Sequence, residues 1–179
     1  DDDGLVLPPR VAPTQVVILP LSNDQGRMDE ILLPRAREVE SRLGGVLGPR
    51  RVRVDTQFHL RPADRFFFHL QRGVPLRLEL GERELEEGTL RYVRRDTGEK
   101  GHFSLERASE EVPALLGRIQ RDLHAKALKF RQDNTHEVSS FAEFQEVLAS
   151  SGGFITGYFG GSKEDERAIK EATGATPRC

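Results

Sequence analysis

TQVVILPL (residues 14–21) is followed by RMDEILLPRAREVESRL (27–43) and then by RRVRVD (50–55). The first is an unbroken apolar run rich in β-branched residues, which reads as a strand buried on both faces. The second sets Met28, Leu32, Ala36, Val39 and Leu43 at helical spacing, and Pro34 is placed either to kink that helix or to start its main part. The third reads as another strand. Strand, helix, strand opens an α/β unit.

The pattern continues outward in both directions. Upstream, the prolines of DDDGLVLPPRVAP (1–13) forbid a helix and predict an extended lead-in. Downstream, PADRFFFHLQRG (62–73) has Pro62 at a helix start and Gly73 just past its end, so a short helix is expected. VPLRLELG (74–81) alternates Val74, Leu76, Leu78 and Leu80 with Arg77 and Glu79, which predicts a strand showing the two charged residues on one exposed face. GERELEEG (81–88) is a short acidic helix or turn. LRYVRRDTGEKGHFSL (90–105) is a hairpin whose DTG tip supplies the positive-φ glycine of a tight loop. About five strands and three helices thus form one mixed β-sheet flanked by helices.

The character changes near residue 108. ASEEVPALLGRIQRDLHAKALKFRQD (108–133) puts Val112, Leu115, Leu116, Ile119, Leu123, Ala127 and Phe130 on one stripe of a long helix, with Ser109 as its expected cap. In SSFAEFQEVL (139–148), Ser140 and Glu143 form a capping box and Phe141, Phe144 and Leu148 share an inner face. GGFITGYF (152–159) is an apolar strand, SKEDERAIKEATG (162–174) a helix, and TPRC an extended end. Two domains are expected, 1–108 and a small α+β domain, 109–179.

Lys and Arg number 27 against 29 Asp and Glu, but the cations are not evenly spread. From Arg50 to Arg77 there are seven arginines against Asp55 and Asp64. Arginine's planar fork suits phosphates and guanine edges. No apolar stretch nears the roughly 20 residues of a membrane helix, and a lone cysteine, Cys179, excludes a disulfide framework, so a reducing cytoplasm is expected. His59, His69, His102, His124 and His136 fall in no catalytic motif with Cys179, and no phosphate-binding or dinucleotide-binding glycine motif is present. No catalytic residue is assigned.

GLVLPPRVAPTQVVILP, GVPLRLELGERELEEGTLRYVRRDTGEK, the EEVPALL helix with KALKFRQDNTHEV, and KEATGATPRC together resemble, in one order, the C-terminal half of prolyl-tRNA synthetases of the archaeal and eukaryotic-like type. The resemblance implies a class II synthetase anticodon-binding domain followed by that family's C-terminal zinc-binding-like domain. It implies a proline-tRNA ligase using ATP and Mg, whose catalytic domain lies upstream of DDDG. It also implies proline tRNA as partner, no membrane, and a homodimer through the absent catalytic domain.

Single-stranded loops are read by splayed bases bonded at their edges. The proline anticodon ends in two guanines, whose O6 and N7 accept from arginine or lysine. On the matching motif positions, the resemblance assigns anticodon binding to Arg77, Arg83 and Lys100. His69 and Leu70 stand where the family has a tryptophan and a glutamate, so an acceptor for guanine N1 and N2 is missing. Arg50, Arg51, Arg53, Arg65 and Arg72 are expected on the tRNA backbone, where contacts position without specifying. For zinc, the family's first two cysteine positions are Gly160 and Asp165 here and only Cys179 remains, so no metal is expected, because tetrahedral zinc requires several soft donors. Two alternatives share the sequence: a standalone or paralogous RNA-binding accessory protein without aminoacylation, and an interaction domain with no RNA affinity.

Overall fold

In the computed structural model, residues 4–176 and 178 are described. Strand β1 (Val16–Leu21) leads through a short helix α1 (Gln25–Arg27) and a π-helical turn (Met28–Leu32) into α2 (Leu33–Leu47), then β2 (Val52–Val54). Next come α3 (Pro62–Gln71), β3 (Leu76–Gly81), α4 (Glu82–Glu86), and the hairpin β4 (Thr89–Arg94) and β5 (Lys100–Ser104). Pro34 falls in the first turn of α2, where its missing N–H is harmless, and the turn before it is wound more widely. All five residues expected on the inner stripe, Met28, Leu32, Ala36, Val39 and Leu43, are buried.

The sheet order is β2-β1-β3-β4-β5, with β1 parallel to β2 and β3 and the remaining pairs antiparallel. The crossover from β1 to β2 runs one way along the sheet and that from β2 to β3 runs the other. Crossovers of one hand then place their helices on opposite faces. So it is here: α2 packs with Val16, Ile18, Leu76 and Leu78, whereas Phe66 of α3 packs on Val17 and Leu19. Because both faces of β1 are covered, its apolar run needs no alternation.

Helix α5 (Ala108–Asp133) adds Ala108, Val112, Leu115, Leu116 and Ile119 to the α2 side of the core. Ser109 lies inside it rather than at its cap, since a 3-10 turn from Leu105 to Arg107 leads straight into it. The same stripe then fails: Leu123 is half-buried, and Ala127 and Phe130 are exposed. The chain packs as two compact units that meet in sequence at His124/Ala125, within this helix. The first four turns of the helix belong to the sheet's core, which a change of sequence character at its start does not reveal.

The second unit holds the end of α5, β6 (Thr135–Glu137), α6 (Phe141–Ser150), β7 (Phe154–Thr156) and α7 (Lys163–Thr173), with β6 and β7 pairing in parallel. Ser140 caps α6 by accepting from the Glu143 N–H, but the Glu143 carboxylate turns to Ser139. Phe144 and Leu148 are half-buried while Phe141, stacked on Phe144 at 5.7 Å, is exposed. Among the described residues, no helix is long and apolar enough to cross a membrane.

One glycine sets the end of α3. Gly73 takes φ 68°, and a Cβ there would come within 2.8 Å of Leu5 Cβ and 2.9 Å of Leu7 Cγ. The lead-in therefore lies directly over the helix end, where the Leu5 N–H donates to the Gln71 carbonyl at 3.1 Å.

Candidate nucleic-acid interface

Register decides what shares the face opposite α2. Residues paired directly across a sheet project to the same side. Val17 pairs with Arg53 and Arg77, Arg77 with Val93, and Val93 with Lys100, so one row crosses all five strands: Arg53, Val17, Arg77, Val93, Lys100. It spans four strand spacings, roughly 19 Å. The next row on that face is Leu19, Glu79, Arg91, His102. Helix α3 covers the face at β1, while Lys100 and His102 on β5 are exposed.

Between the end of α3 and the hairpin lies a cleft of about 370 Å³. Val17, Leu70, Val74 and Val93 supply apolar lining, and Arg77 and Lys100 supply cations. Arg77 is held on two sides. Its Nε donates to Glu79 Oε1 at 2.9 Å, and its guanidinium carbon sits 4.3 Å from the centre of the Phe66 ring. A planar cation fixed this way presents an open Nη edge and an outer face.

The far wall of the cleft is braced by salt bridges. Buried Arg94 pairs with Asp96 at 2.7 Å, Glu99 at 3.2 Å and Asp122 of α5 at 2.6 Å, and Tyr92 and Arg118 both donate to Glu99. Arg95 donates from the hairpin to the carbonyls of Leu70 and Gly4. Hairpin, helix end and lead-in are thereby tied together.

The other expected site residues fall into different places. Arg83, on α4, is exposed and paired with Glu87 at 2.8 Å, which raises its already high pKa further. Arg50 and Arg53 are exposed around β2; half-buried Arg51 is bonded to the Ala12 carbonyl. Arg72 is exposed, its guanidinium 3.5 Å from the Phe68 ring centre. Arg65 is not on the surface at all. It is 3% exposed, with Nε 2.8 Å from Asp55 Oδ1 and further bonds to the carbonyls of Pro20 and Asp55, so its expected phosphate contact gives way to a structural role.

His69 completes that buried group by donating to Asp55 Oδ2 at 2.5 Å. Burial alone would raise the Asp55 pKa; the bonds from His69 and the Gln57 N–H and the charge of Arg65 outweigh it and hold the carboxyl well below the usual carboxylate range. His69, which also borders the cleft, is thus committed to the fold through Asp55, and Leu70 lines the cleft as an apolar wall where the family resemblance puts an acceptor. Sequence reasoning also placed Glu79 on an exposed face; it is 4% exposed because Arg77 and Arg91 cover it. Arg91 carries no local sequence signal as a site residue; it stands opposite Glu79 because the connection through α4 sets the β3-β4 register.

At the expected zinc positions Gly160 has no side chain, and the Asp165 carboxylate is taken up by the Ser162 N–H and hydroxyl in a capping box. Cys179 lies outside the described residues. Among those described, no group of three or more His, Cys, Asp or Glu side chains could hold a metal ion. Among the described residues, Gly160 offers no donor for zinc and Asp165 is already engaged in that cap.

The anticodon binding domain family matches residues 15–115, the span that builds the sheet and the start of α5. This chain belongs to that anticodon-binding family. Over its full length the chain is also similar to proline-tRNA ligases: 40% identical to that of Christiangramia forsetii, 37% to proline-tRNA ligase 2 of Bacillus thuringiensis, and 38% to that of Ruminiclostridium cellulolyticum. Each match covers all of this chain and 36% of the relative. The chain thus spans about a third of the length of the curated relatives it matches. An anticodon-binding domain requires an RNA-facing surface, and the mixed sheet with helices on both faces is the fold expected for it.

Proposed function

We propose that this chain recognises the anticodon loop of proline tRNA on behalf of a proline-tRNA ligase, which joins proline to that tRNA with ATP and Mg held by its catalytic domain. The observation that carries this is the cleft at the end of α3, where a fixed guanidinium and a lysine two strands away stand over an apolar floor. An unstacked base brings both a flat apolar face and acceptor atoms, and the cleft offers a partner for each. Arg77 and Lys100 bond guanine O6 and N7, and Arg83 contributes from the neighbouring α4. Exposed Arg50, Arg53 and Arg72 contact phosphates. No zinc is bound in the second unit, the protein works in the cytoplasm, and the ligase forms a homodimer through its catalytic domain.

The test is binding of a proline-tRNA transcript over a salt series, with loops in which either anticodon guanine is replaced. The expected result is log affinity that falls steeply with log salt, and a loss of about 1–3 kcal/mol for a swapped guanine that a basic side chain reads. Tight binding without any preference between loops favours a general RNA-binding accessory protein. Affinity that is absent or flat with salt overturns RNA recognition altogether.

A further inference from the structure

Resting on the anticodon reading above, we propose that Arg91 is a further RNA contact and that Glu79 is the positioning residue that aims both Arg77 and Arg91 at the RNA. Glu79 lies directly across the β3-β4 pair from Arg91, two residues along β3 from Arg77, on the same face. Both oxygens are engaged: Oε1 takes Nε and Nη2 of Arg77, each at 2.9 Å, and Oε2 faces Arg91 Nη1 at 3.2 Å. A buried carboxylate requires a partner, but one arginine would satisfy that requirement. Two arginines around one carboxylate leave a net positive cluster, and its outer members are the exposed ones. The Glu79 side chain is 5% exposed, that of Arg77 19% and that of Arg91 37%.

The arrangement orders both forks before RNA arrives. A surface arginine ordinarily loses rotamer freedom when it binds, and fixing it beforehand removes most of that loss. Arg77 is fixed by Glu79 beneath and Phe66 beside it. Arg91 is held by Glu79 and borders exposed His102 on β5. The two rows are two residues apart along the strands, roughly 6.7 Å, which is the scale of one nucleotide step. With a base in the cleft at Arg77, Arg91 meets the phosphate of the adjoining nucleotide. Phosphate contacts position and do not specify, whereas the base contact of Arg77 does both.

Charge and position make opposite forecasts for Glu79, and that separates them. If Glu79 were only a negative charge near RNA, neutralising it would tighten binding. As a positioning residue, its loss weakens binding even though the surface becomes more positive. The experiment measures affinity of the full chain for the proline-tRNA anticodon stem-loop, for the loop with a guanine replaced, and for an unrelated stem-loop of equal length, using the parent, Arg91→Ala, Arg91→Lys and Glu79→Gln. Arg91→Ala should bind matched and swapped loops about five- to tenfold more weakly at low salt, with the salt slope reduced by about 1, and Arg91→Lys should restore the slope. Glu79→Gln should lose affinity for the matched loop and narrow its preference over the swapped loop, with thermal melting confirming a folded protein. In the Glu79→Gln background, Arg77→Ala should cost less than in the parent, which marks the two as acting together.

An Arg91→Ala variant with parental affinity and slope, or a folded Glu79→Gln variant that binds as tightly as the parent or more tightly, overturns the assignment while the anticodon reading stands. If Glu79→Gln does not fold, the Arg91 pair decides alone. A parent that does not prefer the matched loop over the unrelated one overturns the anticodon reading, and the assignment with it.

Discussion

Arg65 and Arg77 each hold a buried carboxylate, Asp55 in one case and Glu79 in the other, and both carboxylates are 4% exposed. Arg65, on the inner side of α3, is sealed against the sheet with its donors used on Asp55 and two carbonyls, while Arg77 reaches the edge of that helix and keeps part of its fork open. The same ion pair thus serves two purposes, and the cover above it decides which. Where α3 lies on the sheet, a charge pair becomes a clamp for the fold. Where the helix ends and the face opens toward β4 and β5, the same chemistry is available to a ligand.

The largest effect should come from breaking the sealed cluster. Asp55→Ala leaves Arg65 buried without its counter-charge, and urea unfolding should show a loss of about 3–5 kcal/mol. Its acid dependence follows from the depressed pKa of Asp55. A carboxyl held below its ordinary value of 3.8 contributes stability in full above that value. The contribution is lost as pH falls below it, because the unfolded chain takes up the proton first. Unfolding free energy measured from pH 6 downward, a range of roughly two units either side of that ordinary value, should therefore fall less steeply in Asp55→Asn than in the parent. Equal slopes would show that the cluster does not hold the carboxylate ionised.

The open cluster should answer to binding more than to stability. Arg77→Lys keeps the charge and loses the fork, so it should give up about 1–3 kcal/mol of guanine discrimination in loop-binding assays while much of the affinity persists at low salt. Arg53→Ala, at the far end of the same row, should weaken all loops alike and lower the salt slope by about 1. Smallest of all, Glu87→Ala releases the exposed Arg83 from its pair and should leave melting unchanged while slightly tightening RNA binding.

The elements of the first unit were legible because each left a local signature: β-branched residues for β1, helical spacing for α2, proline and glycine around α3, and a DTG tip for the hairpin. The end of the core along α5 was not legible. Ala127 and Phe130 keep the period of Val112 and Ile119 after the partner surface has ended, and periodicity records which side a residue is on without recording whether anything lies opposite. Arginine was equally ambiguous. Nothing local distinguishes Arg65 from Arg72, seven positions on, yet one is 3% exposed and the other sits at the surface over Phe68. That distinction depends on Asp55, which comes from another strand. Alternation gives Glu79 its correct face but predicts it open, whereas its cover arrives from across the sheet at Arg91.

Gly73 has a mechanical consequence. Since no side chain occupies its outer surface, residues 5 to 7 rest on the joint from which α3 ends and β3 departs. Leu5 grips the helix end and Arg95 grips Gly4. A displacement of the lead-in is therefore borne by the same few bonds that set the wall carrying Leu70, and tension in one becomes a change of aperture in the other.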